Sequence, residues 1–285
     1  MSGKILVTGA TGKVGSEVVK QLAAKGEAVR AGLHNPDKAA DLGWGDKVEI
    51  VPFNFVQTAT IEAALEGVDR VFLMSPPSQT DSLAMEKTVI DAAKKAGVGH
   101  IVKLSAAGVE NSEEAPLRQA EKYLEASGIA YTHLRPSWFN QNFSTGQAAS
   151  IKQGAFYIPA ADGKTGFIDT RDIAAVGVAA FTQEGHANKA YTLTGSEALD
   201  HYQVADIISK ATGREVKYMA LSDEQFRATT TAEGWPPAVI EMMSQLYGMI
   251  RQGWTATVTP TVSQVLDRAP ISFEQFAQDY ASVWE

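Results

Sequence analysis

The chain has 285 residues and no cysteine, which excludes disulfide bonds, thiolate nucleophiles and cysteine-ligated zinc or iron–sulfur clusters. Its formal net charge of −8 disfavours nucleic acid and anionic lipid surfaces as partners. No stretch is apolar for long enough to be a signal peptide or to span a bilayer, so we expect a globular, cytoplasmic protein.

Apolar, strand-like runs alternate with helix-like segments over the first half of the chain. The run "KILVT" (4–8) predicts a strand, and valines and leucines at helical spacing up to Lys25 predict the helix that follows. The same alternation continues with predicted strands at 28–33, 48–53, 69–74, 100–105 and 130–134 and predicted helices at 60–67, 80–97 and 116–128. Strands separated by helices indicate βαβ crossovers, so we predict an α/β protein with a Rossmann-type, doubly wound parallel sheet.

The alternation loosens after about residue 135. Residues 166–195 predict one more helix and one more strand, which would return to the sheet, whereas helical patterns dominate from residue 196 onward. We therefore predict a Rossmann domain over 1–155, joined by 166–195. A smaller, mainly helical C-terminal domain over 196–285 would then serve as a substrate domain or lid.

The first predicted turn, "VTGATGKVG" (7–15), places glycines at positions 9, 12 and 15 between a strand and a helix. In a dinucleotide-binding loop, such glycines permit a tight turn, close approach of the backbone to the pyrophosphate, and contact between helix and strand. The helix N-terminus then offers free N–H groups to the phosphates. We interpret this loop as a dinucleotide site; the alternative is a glycine-rich connection without a ligand.

The choice between the two nicotinamide dinucleotides depends on the end of the second strand. NAD enzymes carry an acidic residue about 20 positions after the glycine loop, where it binds the ribose 2′-hydroxyl. His34 stands there instead, with Lys38 after it and Lys13 inside the loop. Because no carboxylate at this position would repel a 2′-phosphate, we favour NADP(H) over NAD(H). Asp37 leaves NAD(H) open, and these side chains could also be solvated surface residues.

Familiar catalytic motifs are missing from the sequence. No tyrosine is followed four residues later by lysine, the pair that short-chain dehydrogenases use for proton transfer. Histidines at metal-ligand spacing and a G-x-S-x-G elbow are also absent, so we expect neither a metal site nor an esterase.

Further segments follow the glycine loop in a recognisable order: "HNPDKAADL", "FLMSPP", "HIVKLSAAG", "ASGIAYTHLRPSWFNQNF", "IDTRDIAAV" and "KAYTLTGSEAL". With them, the chain resembles the NmrA-like family over nearly its whole length. These are atypical relatives of the short-chain dehydrogenases that include type 2 quinone reductases and triphenylmethane-dye reductases. The resemblance implies an NADP(H)-binding Rossmann domain, a smaller C-terminal domain and a substrate cleft between them.

The resemblance also implies which residues bind the cofactor. They are Gly9, Thr11, Gly12, Lys13, Val14 and Gly15 in the loop, His34 and Lys38 at the 2′-phosphate, Asn54 and Phe55 at the adenine, Met74, Ser75 and Pro76 at the nicotinamide ribose, and Pro136, Ser137, Trp138 and Phe139 behind the nicotinamide ring. Two departures stand out. Relatives usually carry arginine where His34 stands, and some carry a catalytic lysine or histidine where Leu117 stands.

Two functions fit these observations. The first is an NADPH-dependent reductase of quinones, azo dyes or similar conjugated acceptors, which can collect their proton from water. Trp138 and Phe139 would stack the acceptor, and Lys103 or Ser105 would polarise its oxygen as catalytic residues; each of the four could equally be a packing residue. The second is a non-catalytic NADP(H) sensor that acts through a protein partner. A sugar-nucleotide epimerase is disfavoured, because its catalytic pair is missing.

The segment "WPPAVIEMMSQLYGMIRQGW" (235–254) supplies apolar side chains for the C-terminal domain. Its methionines, Met242, Met243 and Met249, would give an adaptable wall over a substrate, although core packing or a dimer contact would also explain them. We expect a monomer or a homodimer.

Overall fold

The computed structural model describes residues 3–37, 42–45, 47–76 and 82–285. The chain divides into two compact units, one within Met1–Pro136 and Thr170–Leu193, the other within Ser137–Asp169 and Thr194–Glu285. Both units therefore contain two separate stretches of the chain.

The first unit contains a parallel sheet. Its strands are β1 (Lys4–Val7), β2 (Val29–Leu33), β3 (Val48–Pro52), β4 (Val68–Leu73), β5 (His100–Leu104), β6 (Ala130–Pro136) and β8 (Lys189–Leu193), in the spatial order β3-β2-β1-β4-β5-β6-β8. Every neighbouring pair in this sheet is parallel. The strand order reverses between β1 and β4, and ligands bind at such a switch point in open α/β sheets.

Helices cover the two faces of this sheet. They are α1 (Lys13–Ala24), α2 (Thr58–Leu65), α3 (Ser82–Ala96), α4 (Pro116–Ser127) and α6 (Thr170–Thr182). Alternate residues of a strand face opposite sides, and β4 shows this clearly. Val71 and Leu73 pack in a core with residues of α2, α3 and α4, whereas Phe72 lies against Gly177 of α6. The predicted α/β, doubly wound Rossmann-type fold is confirmed.

The second unit is smaller and mainly helical. It contains α5 (Ala148–Lys152), α7 (His201–Thr212), α8 (Asp223–Ala232), α9 (Pro237–Arg251), α10 (Thr261–Leu266) and α11 (Phe273–Asp279). It also contains a two-stranded parallel sheet of β7 (Ala155–Ile158) and β9 (Lys217–Ala220), which the sequence analysis did not predict. An aromatic core around Phe143, Phe156, Phe276 and Trp284 holds these elements together.

The units divide the chain differently from the predicted domains. Residues 137–155 had been assigned to the Rossmann domain, but they lie in the second unit. The physical reason is local: Phe139 forms a β-bridge with Ile168, and Phe143 packs in the aromatic core of that unit. Among the described residues, no helix has both the length and the apolar character that a bilayer crossing requires.

Candidate cofactor site

The glycine loop joins the end of β1 to the start of α1, and its three glycines lie close together there. Gly9 has a φ of +58°, a left-handed conformation that glycine adopts without strain. A Cβ on Gly15 would lie 2.2 Å from the Gly9 carbonyl oxygen, so only glycine permits this approach of helix to loop. Gly12 is the N-cap of α1, and its N–H donates to the Gly9 carbonyl oxygen at 2.9 Å.

Thr8 ties this loop to the end of the neighbouring strand β4. Its buried hydroxyl donates to the Met74 carbonyl oxygen at 3.0 Å and accepts from the Met74 N–H at 2.8 Å. The Met74 side chain in turn lies over the loop, where a Cβ on Gly12 would be 3.1 Å from the Met74 methyl carbon. The loop and residue 74 are thus held together at the switch point of the sheet.

The first turn of α1 suits an anion. It contains no acidic residue, and the N-cap glycine has no side chain to occupy the free N–H groups. Lys13 adds a cation there, and partial burial of its ammonium group lowers the pKa of this lysine. Thr11 is exposed, whereas the Val14 side chain is buried in the core, which leaves only the backbone of Val14 for a ligand.

The residues expected at the adenosine half follow β2 and β3. His34 directly follows β2 and is exposed. Asn54 accepts from the Val56 N–H with its side-chain oxygen at 3.1 Å, and Phe55 packs edge-on against Phe53 with ring centroids 5.0 Å apart. Lys38, the other residue expected at the 2′-phosphate, lies outside the described residues. The described residues of this set share the carboxyl edge of the sheet with the glycine loop.

Ser75, which follows β4, is connected to a buried ion pair. Its hydroxyl donates to Glu86 of α3 at 2.8 Å, and Glu86 pairs with Lys103 of β5 at 2.8 Å. Glu86 is 1% exposed and Lys103 is 0% exposed, so the Lys103 ammonium faces Glu86 and the Leu104 carbonyl rather than solvent. Pro76 is half-buried after the same strand, and Pro136 is buried at the end of β6.

Ser105 directly follows β5 and lies against a second buried charge cluster. Burial alone would raise the pKa of Glu121 on α4, but hydrogen bonds from Arg135 lower it to about 2. Arg135 holds both Glu121 oxygens, at 3.0 and 2.8 Å. Glu121 and Glu125 also flank His133, and such a trio resembles a metal-ligand set. Arg118 and Arg135 already neutralise these carboxylates, so the charges balance without a cation.

The residues expected behind the nicotinamide ring continue into the second unit. Ser137 is half-buried, and Phe139 forms a β-bridge with Ile168. The Trp138 ring stacks on Tyr247 of α9, with centroids 5.3 Å apart and an interplanar angle of 27°. Sequence reasoning singled out Trp138 but missed Tyr247, Glu86 and Glu121, because nothing in the sequence pairs residues so far apart.

Comparison with known proteins identifies the family. The model of the NmrA-like family matches residues 1–276. The chain is 36% identical to an NAD(P)H azoreductase of Xenophilus azovorans, over 98% of this chain and 99% of that protein.

Solved structures agree with this assignment. The NADPH complex of an NADPH-dependent quinone oxidoreductase from Escherichia coli superposes with a TM-score of 0.85 at 28% identity, over 96% of this chain and 99% of that one. The NADP(H) complex of the triphenylmethane reductase of Citrobacter sp. gives a TM-score of 0.84 at 27% identity, over 98% and 99% of the two chains. The expected resemblance is confirmed, and the chain belongs to the NmrA-like family.

Proposed function

We propose that this protein is an NADPH-dependent reductase that transfers hydride to quinones, azo dyes or similar conjugated aromatic acceptors. The observation that carries the proposal is the glycine loop. It is packed too closely for any side chain at Gly15, free of acidic residues in the helical turn that follows, and located at the switch point of the sheet. The activities named for the azoreductase, the quinone oxidoreductase and the dye reductase agree with this reading.

Residues of the first unit hold the dinucleotide in this proposal. The backbone of the loop and the N-terminus of α1 bind the pyrophosphate, because their N–H groups and partial positive charge face an anion there. His34, Lys13 and Lys38 favour the 2′-phosphate, with no carboxylate in the usual NAD position. When bound, NADPH supplies a hydride from its nicotinamide ring.

The buried ion pair of Lys103 and Glu86 acts through Ser75 rather than on the acceptor. Glu86 accepts a hydrogen bond from the Ser75 hydroxyl and is itself paired with Lys103, so the serine oxygen keeps its lone pairs for a ribose hydroxyl. Lys103, proposed from the sequence as a catalytic residue, is then a positioning residue. Ser105 remains a candidate to polarise the acceptor oxygen, because its hydroxyl is buried and has no hydrogen-bond partner among the described residues.

The experiment that tests the proposal is NADPH consumption, measured by near-ultraviolet absorbance, with a panel of quinones, azo dyes and triphenylmethane dyes. Gly12→Val should abolish turnover, because its side chain would meet the Gly9 carbonyl and Met74 and fill the space that the pyrophosphate needs. Gly99→Ala is the matched control, since a Cβ there would approach other atoms only to 3.8 Å.

Cofactor binding is measured in the same samples by quenching of tryptophan fluorescence, with NADPH and NADH titrated separately. Turnover with at least one acceptor, and tighter binding of NADPH, would support the reductase. Binding without turnover across the whole panel would contradict it and favour the sensor, and tighter binding of NADH would contradict the NADP(H) preference.

A further inference from the structure

The Met74 side chain lies across the glycine loop of the first unit. Its methyl carbon would overlap a Cβ on Gly9 and would be 3.1 Å from a Cβ on Gly12. These two glycines leave open the space that their side chains would fill, and the Met74 methyl group occupies it. Met74 is half-buried, so solvent still reaches part of the residue that lies over the loop.

The backbone beneath this side chain is fixed. The Met74 N–H donates to the Thr8 hydroxyl at 2.8 Å, and the Met74 carbonyl oxygen accepts from the same hydroxyl at 3.0 Å. The next residue is also held, because the Ser75 hydroxyl donates to Glu86 at 2.8 Å. The methyl group can therefore leave the loop only by rotation about the side-chain bonds of Met74.

A methionine side chain permits such a rotation. It is unbranched, has three rotatable bonds and adapts to irregular surroundings. Each contact of its methyl carbon with the loop atoms is individually weak. A dinucleotide that gains hydrogen bonds from the loop and from the N-terminus of α1 can therefore displace it.

We propose that the Met74 side chain covers the pyrophosphate subsite of the loop and turns aside whenever a dinucleotide enters. This inference rests on the proposed function, because it takes the loop as the site of NADPH. In a loop of this kind, a glycine is needed where the backbone approaches the pyrophosphate. The Met74 methyl group lies in that approach, beside Gly12.

The cover would act on cofactor exchange rather than on hydride transfer. A reductase exchanges NADP⁺ for NADPH in every turnover, and steps that open a site limit kcat in many enzymes. While the methyl group lies over the loop, only a fraction of the molecules can accept the dinucleotide, and the apparent affinity falls by that fraction. Met74 is then a positioning residue that controls how fast the cofactor enters.

The first test is the association of NADPH with Met74→Ala, followed by tryptophan quenching in a stopped-flow instrument. Removal of the cover should raise the association rate constant at least about threefold and strengthen binding, because a larger fraction of the molecules is open. An unchanged or lower rate constant in Met74→Ala would overturn the inference.

Met243→Ala is the matched control. Met243 is also half-buried, but it packs against the aromatic core of the second unit. Its truncation should lower thermal stability and leave the association rate constant as in wild type. An equal rise of the rate constant in both variants would mean that lost packing, not the cover, is the cause, and would also overturn the inference.

The second test uses the wild-type chain, with its seven methionines labelled with carbon-13 at the methyl group. Nuclear Overhauser contacts should join the Met74 methyl group to the α-protons of Gly9 and Gly12, and saturating NADP⁺ should remove them. The Met74 signal is identified as the one that is missing from the spectrum of Met74→Leu. Contacts that persist in the presence of NADP⁺ would show that the side chain stays on the loop and would contradict the displacement.

Gly12→Val separates this inference from the proposed function. If Gly12→Val binds NADPH as tightly as wild type does, the loop is not the dinucleotide site, and both proposals fail. If Gly12→Val loses binding while Met74→Ala keeps the wild-type association rate constant, the loop remains the site and only the cover is overturned.

Discussion

At the scale of single residues, the most consequential charges belong to an ion pair that solvent does not reach. Lys103 and Glu86 form an ion pair inside the first unit, and their side chains are 0% and 1% exposed. The desolvation of such a pair offsets much of its attraction, but loss of one partner leaves a buried charge without compensation. Replacement of one partner should therefore destabilise the fold strongly, whereas replacement of both partners together should destabilise it little.

We expect Lys103→Met to lower the free energy of unfolding by about 3–5 kcal/mol, because it leaves the Glu86 carboxylate buried without a positive partner. The double variant Lys103→Met with Glu86→Gln should recover most of this loss, as measured by urea unfolding. The same double variant tests the catalytic prediction for Lys103. A positioning role predicts weaker NADPH binding with turnover retained at saturating NADPH, whereas a folded double variant without turnover would show that Lys103 acts directly.

The residues that sequence reasoning found and those it missed differ in how far along the chain their interaction partners lie. The glycine loop could be identified because the nine residues that define its motif are consecutive in the sequence. Lys103 was noticed for its place at a strand end, but its partner Glu86 lies on a different element. Tyr247 was overlooked because a tyrosine in an apolar helix resembles any core residue, and Trp138, on which its ring stacks, lies in a distant part of the chain.

At the scale of elements, the junction of β1 and α1 depends on one atomic approach. The Gly15 Cα lies so close to the Gly9 carbonyl that an added Cβ would come within 2.2 Å of its oxygen and 2.8 Å of its carbon. Both neighbours are backbone atoms, which cannot rotate away as a side chain can. A side chain at position 15 must therefore move the start of α1 away from the loop.

We expect Gly15→Ala to lower the melting temperature and to weaken NADPH binding at least about tenfold, because the N-terminal N–H groups of α1 no longer converge on the pyrophosphate. Circular dichroism melts and fluorescence titrations measure the two effects. Gly99→Ala in the same unit should change neither quantity. NADPH affinity equal to wild type in Gly15→Ala would mean that the loop does not bind the pyrophosphate.

The elements of the first unit were predictable because their patterns are local and repeated. The predicted strand at 69–74 corresponds to Val68–Leu73, and the predicted helix at 116–128 corresponds to Pro116–Ser127. Strands β7 and β9 were not predicted: each has four residues, and each gains its stability from the other across about 60 residues of chain. Short strands whose pairing is distant leave no periodic signal in the sequence.

At the scale of the whole molecule, buried titratable groups make stability depend on pH. Burial lowers the pKa of His201 from 6.5 to about 4, and that of His133 to about 4 as well. Between pH 4 and pH 6.5 the folded state binds fewer protons than the unfolded state. The free energy of unfolding therefore rises with pH in this range and falls as the pH is lowered from 6.5 toward 4. The lowered pKa of Glu121 extends the loss toward pH 2, below the ordinary 4.5 of a glutamate.

His201 allows this dependence to be tested in one unit. Its ring is 2% exposed and packs among Phe143, Phe167 and Tyr218, where protonation would leave a charge in an aromatic core. We expect His201→Phe to keep the fold at pH 7 and to lose less stability than wild type between pH 7 and pH 4, by up to about 3 kcal/mol. Denaturant unfolding at the two pH values measures the difference, and His34→Gln, which replaces an exposed histidine, should behave as wild type. Equal losses in His201→Phe and wild type would show that this buried ring does not govern acid unfolding and would leave His100, His133 and Glu121 among its sources.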